Sequence, residues 1–271
     1  MSEPKRILFV SQQIFPYLDT ETPIRLQNRQ LPEYFQSKGF ETRTFMPKFG
    51  EINERRNQLH EVIRLSGINL IIAGTDHPLL IKVASIQSAR IQIYFIDNDD
   101  YFHRRKGLLD AEGNECKDND ERAIFFARGV LETVKKLQWR PSVVHCHGWF
   151  SAIAPIYLRN MFKDDPLLGD SKIVVSVYED KFSTPLNPEL AEKLVNEGAP
   201  KADVEKLEDT SYENLMRFVI DNVDGVVAGS EKTDKALLDY ARESGKKVLD
   251  YCSPETEGFF DNYDRFYEEL F

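Results

Sequence analysis

The chain opens on an uninterrupted apolar run, Ile7-Leu8-Phe9-Val10, the pattern of a buried strand. A polar loop from Ser11 to Pro23 follows, then a helical pattern that ends at Gly39, a natural helix stop. Glu41 to Met46 reads as the next strand, so strand, helix and strand make a βαβ unit with parallel strands and a right-handed crossover. From about Leu59 to Asp97 the pattern changes to short β-rich runs, Leu70 to Ile72, Leu79 to Val83 and Ile91 to Phe95, split by a Gly74-Thr75-Asp76 turn. These predict an antiparallel hairpin inserted before the chain returns to the sheet. Ile124, Val130, Leu131, Val134 and Leu137 fall near helical spacing over Asn119 to Gln138, and Arg140-Pro141 stops that helix before the Val143-Val144 strand. Beyond it the pattern predicts helices over Trp149 to Met161, Ser211 to Asn222 and from a Ser230 cap to Ser244. Strands are predicted over Lys172 to Tyr178, Asp224 to Ala228 and Lys246 to Leu249. Repeated alternation of this kind predicts an α/β, Rossmann-like, doubly wound and mostly parallel sheet, formed as one domain over residues 1–271. A last helix at about 257–271 places Phe259, Phe260, Tyr263, Phe266, Tyr267, Leu270 and Phe271 on one face. Such a stripe docks on its own core or offers a partner surface.

Charge narrows the candidate partners. Forty-five acidic against 35 basic residues leave a formal charge of −10, which argues against nucleic acid and anionic membrane surfaces. No apolar run approaches the ~20 residues of a membrane span, and the opening Met-Ser-Glu-Pro-Lys-Arg lacks the features of a secretory signal, so a cytoplasmic location is expected. Cys116, Cys146 and Cys252 are far apart and odd in number, as expected of reduced thiols. Hydrolase, kinase and dehydrogenase chemistry lack their minimum parts: there is no Gly-x-Ser-x-Gly elbow, P-loop or Gly-x-Gly-x-x-Gly loop. His145 and His147 are two apart at a strand end, but no further pair with ligand spacing joins them, so neither a metal nor another cofactor is expected.

Several ordered segments carry a resemblance. Ile7 to Ser11 with Phe15-Pro16-Tyr17, the Met46-Pro47-Lys48-Phe49-Gly50 turn, Tyr94 to Asn98 with Tyr101-Phe102 and Arg104, Asp118-Asn119-x-Glu121-Arg122 with Phe125-Phe126, and His145-Cys146-His147-Gly148-Trp149 occur in this sequence order. Together they resemble the N-terminal, acceptor-side domain of bacterial glycogen synthase and starch synthase, glycosyltransferase family five, in the variant of the Bacteroidetes-type synthases. The resemblance implies one half of a GT-B architecture, in which the N-terminal half mainly holds the glucan acceptor and the C-terminal half binds ADP-glucose. That donor-binding half is expected to be absent from the chain. By the same resemblance, Tyr101 and Trp149 are candidates to stack on glucose rings, and Arg104, Asn119, Arg122 and His147 to hydrogen-bond a glucan.

The departures from the family lie where its chemistry is concentrated. The family's Lys-Thr-Gly-Gly-Leu loop is replaced by Asp19-Thr20-Glu21-Thr22-Pro23, which reverses a charge, fills both glycines and removes an amide donor, so the loop should repel a diphosphate. Gly148 stands where the family has aspartate. Val177-Tyr178-Glu179-Asp180 replaces its Ile-His-Asn-Leu. No catalytic residue is therefore assigned. The expectation is a glycogen-synthase-like domain of α-1,4-glucan metabolism, unable to transfer glucose alone, that binds glucan or acts as a regulatory partner. One alternative is a retaining ADP-glucose:α-1,4-glucan glucosyltransferase completed by a donor-side domain on another chain. The other is an interaction module, a homodimer for example, that has lost sugar binding.

Overall fold

A computed structural model describes residues 5–271, so Met1 to Pro4, the first part of the segment read for a signal, lie outside the described residues. The chain runs β1 (Arg6–Ser11), α1 (Pro23–Ser37), β2 (Glu41–Pro47), β3 (His60–Glu61), β4 (Ile68–Ile72), β5 (Thr75–Ile86), β6 (Ile91–Asp97), α2 (Asn119–Lys136) and β7 (Val143–His147). It continues with α3 (Ile153–Asn160), β8 (Lys172–Val177), α4 (Leu190–Asn196), α5 (Lys201–Val204), α6 (Tyr212–Asp221), β9 (Gly225–Ala228), α7 (Lys235–Glu243), β10 (Lys247–Leu249) and α8 (Phe259–Glu268). One sheet is ordered β10-β9-β8-β7-β1-β2-β6-β5-β3, with β4 paired to β5. The seven strands from β10 to β6 are parallel neighbours, and β5 is antiparallel to β6, β4 and β3, so the inserted hairpin is present and widens one edge.

Strand periodicity accounts for the two layers of helix. Ile7 and Phe9 of β1, with Val143, Val174 and Val227, face α1 and α8, where Leu31, Phe35, Phe259, Tyr263, Phe266 and Tyr267 cover them. Leu8, Val10, Val144, Cys146, Val175 and Val226 point the other way into the core formed with α2, α3, α6 and α7. The aromatic tail is thus a docked helix: Tyr263 and Tyr267 are buried, whereas Phe271 is left 68% exposed. No helix among the described residues is long and apolar enough to cross a membrane.

Two predicted boundaries shift for local reasons. The helix expected from Trp149 begins as a tight 3-10 turn over Trp149–Ser151, and α3 proper starts at Ile153. The cap expected at Ser230 belongs to Asp234, whose carboxylate accepts the Ala236 N–H at 2.9 Å. Ser230 instead turns the chain, its N–H donating to the Thr233 hydroxyl at 3.1 Å.

Candidate functional site

Open α/β sheets place ligands beyond the carboxyl ends of their strands. Here the segments after β1, β7 and β8 and the loop before α2 enclose a cavity of 460 Å³ at that edge. Gln12 and Gln13 come from the end of β1, Trp149 from the end of β7, and Glu179 to Phe182 from the end of β8; Lys106 to Asp110, Glu115 and Asn119 form the opposite wall. Trp149 and Phe182 meet edge to face at 4.8 Å and give the cavity an apolar floor. The charged lining is five acids, Glu51, Asp110, Glu115, Glu179 and Asp180, against three bases, Arg25, Lys106 and Lys181.

The turn after β7 is held by side chains from its neighbours. Gln12 Oε1 accepts the Phe150 N–H at 3.0 Å, and Asp180 Oδ2 accepts the Trp149 N–H at 2.9 Å. Burial pushes the Asp180 carboxyl up to about 6, against the pull of that hydrogen bond. Gly148 makes the arrangement possible. Its φ of 82° and ψ of 159° lie in a region open essentially to glycine alone, and a Cβ there would stand 2.7 Å from Gln12 Oε1 and 2.8 Å from Asp180 Oδ2.

The six candidate sugar-binding residues do not all converge on this cavity. Asn119 and Trp149 line it. Arg122 lies beneath, fully buried, donating to Tyr101 O at 2.8 Å, Gly107 O at 2.8 Å and Asn119 Oδ1 at 2.6 Å, so it pins the loop that forms the wall. Tyr101 is 4% exposed and joins His77 and Glu121. Arg104 stands in solvent beside Asp100 at 4.0 Å. His147 is wholly buried. Gln12, Gln13, Asp110, Glu115 and Phe182 were not candidates from the sequence. The signal that could have found the two glutamines is their place directly after the first strand.

The substituted loop after β1 behaves as a helix cap. Thr22 Oγ1 accepts the Arg25 N–H at 3.4 Å and Pro23 is the first residue of α1. Asp19 and Glu21 stay exposed, Asp19 meeting Arg56 at 3.5 Å. The capped helix start therefore has one amide occupied and another removed by proline.

Tyr178 is the first residue after β8 and is buried. Its hydroxyl donates to Gln27 Oε1 at 2.9 Å, which obliges His147 Nδ1, 2.8 Å away, to carry the proton of their shared bond. The Tyr178 ring leaves no room for a Cβ on Gly229, which would meet it at 2.4 Å. His145 bonds Tyr267 at 2.6 Å and Ser176 at 2.7 Å. Burial drives His147 down to about 3, and burial with the neighbouring imidazole takes His145 well below its ordinary value. Both are neutral in the fold. Glu54, Asp97 and His103 also cluster, but the Lys48 and Lys82 ammoniums sit 2.7–2.8 Å from the two carboxylates, an ion-pair network that already supplies the cations.

The buried histidines set a pH dependence. The unfolded chain protonates His147 near 6.5, whereas the folded chain refuses the proton until about 3, so stability is full above 6.5 and falls as the pH drops through that window. At pH 5 His147 alone accounts for a loss of about 2 kcal/mol. Asp180 acts in the opposite sense, holding its proton in the fold from about 6 where the unfolded carboxyl holds it from 3.8. Urea unfolding followed from pH 7 to 4.5 should show a falling stability, flatter in His147→Gln and steeper in Asp180→Asn. Equal slopes in all three would contradict this charge assignment.

The family described as "Starch synthase catalytic domain" matches residues 6–250. The chain belongs to that family. A glycogen synthase of Chlorobium luteolum is 32% identical over 236 residues, 86% of this chain and 47% of that protein. One of Chlorobaculum tepidum is 29% identical over 272 residues, 96% of this chain and 53% of that protein. The chain thus spans about half the length of these relatives. In fold it is similar to the catalytic domain of starch synthase IV from Arabidopsis thaliana, solved with ADP and acarbose, with a TM-score of 0.70 at 16% identity over 92% of this chain and 52% of that one. This starch-synthase-like domain is accordingly α/β and corresponds to one half of a GT-B architecture.

Proposed function

We propose that this starch-synthase-like domain binds α-1,4-glucan in the 460 Å³ cavity and does not by itself transfer glucose from ADP-glucose. The observation that carries the reading is the lining of that cavity: amides, carboxylates and an apolar floor, with five acids to three bases. Uncharged polyhydroxyl chains suit such a surface, since carboxylates accept from hydroxyls and amides both accept from and donate to them, while the Trp149–Phe182 floor meets the apolar faces of sugar rings. A nucleotide diphosphate suits it poorly, because the excess of carboxylates, with Asp19 and Glu21 on the adjoining loop, opposes a dianion.

Electrophoresis through native gels with and without embedded glycogen tests the reading. The wild type should be retarded by glycogen, and Gln13→Ala combined with Glu179→Ala, two lining residues, should lose most of that retardation while keeping the melting temperature. Equal migration with and without glycogen would remove glucan binding from the account. Glucosyl transfer to glycogen by the chain alone would remove its second half. Transfer that appears only on addition of a separate donor-side domain would favour the completed transferase.

A further inference from the structure

A smaller cavity, of 220 Å³, adjoins the first between the opening turn of α1 and the residues that follow β8. It shares Gln12, Gln13, Glu179 and Asp180 with the larger one, and Tyr178 adds to its wall. Two consecutive residues of α1 tie that helix to the two sides of the cavity. Asn28 Nδ2 donates to Gln13 O at 2.8 Å, on the side of β1. Gln27, buried in α1 beyond Pro23, serves the side of β8. Its Nε2 donates to Gly229 O at 2.8 Å, and since a carbonyl cannot donate, the side-chain amide can be placed only one way. Its Oε1 therefore meets the Tyr178 hydroxyl at 2.9 Å and the Tyr263 hydroxyl of α8 at 3.3 Å, and both must donate to it. Having given its proton to Gln27, Tyr178 can only accept from His147 Nδ1, 2.8 Å away.

One amide thus sets the direction of a buried hydrogen-bond chain that joins α1, α8, the turn after β9 and the end of β8. The chain continues directly from Tyr178 into Glu179 and Asp180, and Asp180 accepts the Trp149 N–H at 2.9 Å. Resting on the glucan reading above, we propose that Gln27 is a positioning residue for the site: it fixes Tyr178 against α1, and through Tyr178 holds Glu179 and Asp180 in the geometry that receives the sugar. Gln27 lines neither cavity, so its contribution is preorganisation, the ordering of the wall before the ligand arrives.

The test uses the full chain carrying isotope-labelled histidine, with Gln27→Met, which keeps the length of the side chain and removes its amide. Tyr178→Phe, which keeps the ring in the wall and cuts the same link, guards against misfolding of the methionine variant. Wild-type His147 should show the Nδ1–H tautomer by nuclear magnetic resonance. In Gln27→Met the freed Tyr178 hydroxyl turns to His147 Nδ1 as its acceptor, so the proton should move to Nε2, a change that a general loss of stability does not produce. Calorimetric titration with maltoheptaose should give an affinity about fivefold weaker in each single variant, and the Trp149 N–H should exchange about tenfold faster. The double variant should be no worse than either single one, because Gln27 acts through Tyr178. An Nδ1–H tautomer retained in Gln27→Met, losses that add in the double variant, or affinity and Trp149 exchange left at wild-type values in the folded variants would overturn the proposal while leaving glucan binding in place. A wild type that binds no maltoheptaose, with the tautomer and the Trp149 exchange moved as stated, would overturn the glucan reading and leave Gln27 as the residue that orders the end of β8.

Discussion

Replacing Arg122 by alanine is expected to destabilise the domain by about 4 kcal/mol and to release the wall of the cavity, because one buried guanidinium holds three acceptors. Its Nε serves Tyr101 O, one terminal nitrogen serves Gly107 O and the other Asn119 Oδ1, so the loop before α2 and the first turn of α2 are tied to a single buried group. Truncation leaves those acceptors buried without a donor and opens a void where the side chain lay. For a chain of this length the loss corresponds to a drop in melting temperature of roughly 10 °C. Arg122→Lys should recover only part of it, since an ammonium cannot reproduce the planar fork. Thermal unfolding with hydrogen exchange over residues 101–119 reads both effects. A melting temperature within a degree or two of wild type would show that the loop is held by something else.

The second large effect is expected at Gly148, where the aspartate that the resemblance implies can be introduced. Gly148→Asp must place a side chain on a backbone of φ 82° and ψ 159°, at about 1–3 kcal/mol, and drive its Cβ into Gln12, Asp180 and Ile24. A total near 4 kcal/mol is expected. Part of that penalty comes from the Asp180 carboxylate alone, so Gly148→Asp with Asp180→Ala should be less destabilised than the sum of the two single changes, by about 1–2 kcal/mol. Strict additivity in chemical denaturation would mean that the two positions do not share the space. Positions 148 and 180 are coupled in space: the carboxylate that caps Trp149 comes from the end of β8 and occupies room that only a glycine leaves.

The framework was legible in the sequence because strand and helix periods are local. Ile7 to Val10 shows its burial in four consecutive apolar positions, and the tail shows its docked face in the spacing of Phe259, Tyr263, Phe266 and Tyr267. The hairpin between Leu59 and Asp97 was visible from its β-rich runs and its Gly74 turn. Boundaries fixed by which of two nearby side chains caps a helix were not: Ser230 and Asp234 are both good caps, and only the packed chain decides between them.

The candidate site was legible in its position and less so in its members. His145 to Trp149 does end a strand at the ligand-bearing edge, yet an alternating strand cannot say which of its histidines faces a helix, and α8, more than 100 residues later in the sequence, is what buries His145 against Tyr267. By the resemblance Arg122 is a candidate to hydrogen-bond a glucan, and its acceptors are two main-chain carbonyls and an amide that no sequence pattern displays. Glu115 carries no motif at all. Its carboxylate is bound by two N–H groups brought to it from the chain after β8.

The most direct test of the central claim is a paired calorimetric titration of the full chain with maltoheptaose and with ADP-glucose under the same low-salt buffer. The account predicts saturable binding of the glucan and no detectable heat from the nucleotide sugar, as the acid-rich cavity and the Asp19–Glu21 loop require. Saturable binding of ADP-glucose without binding of maltoheptaose would contradict it and make this edge of the sheet a donor site.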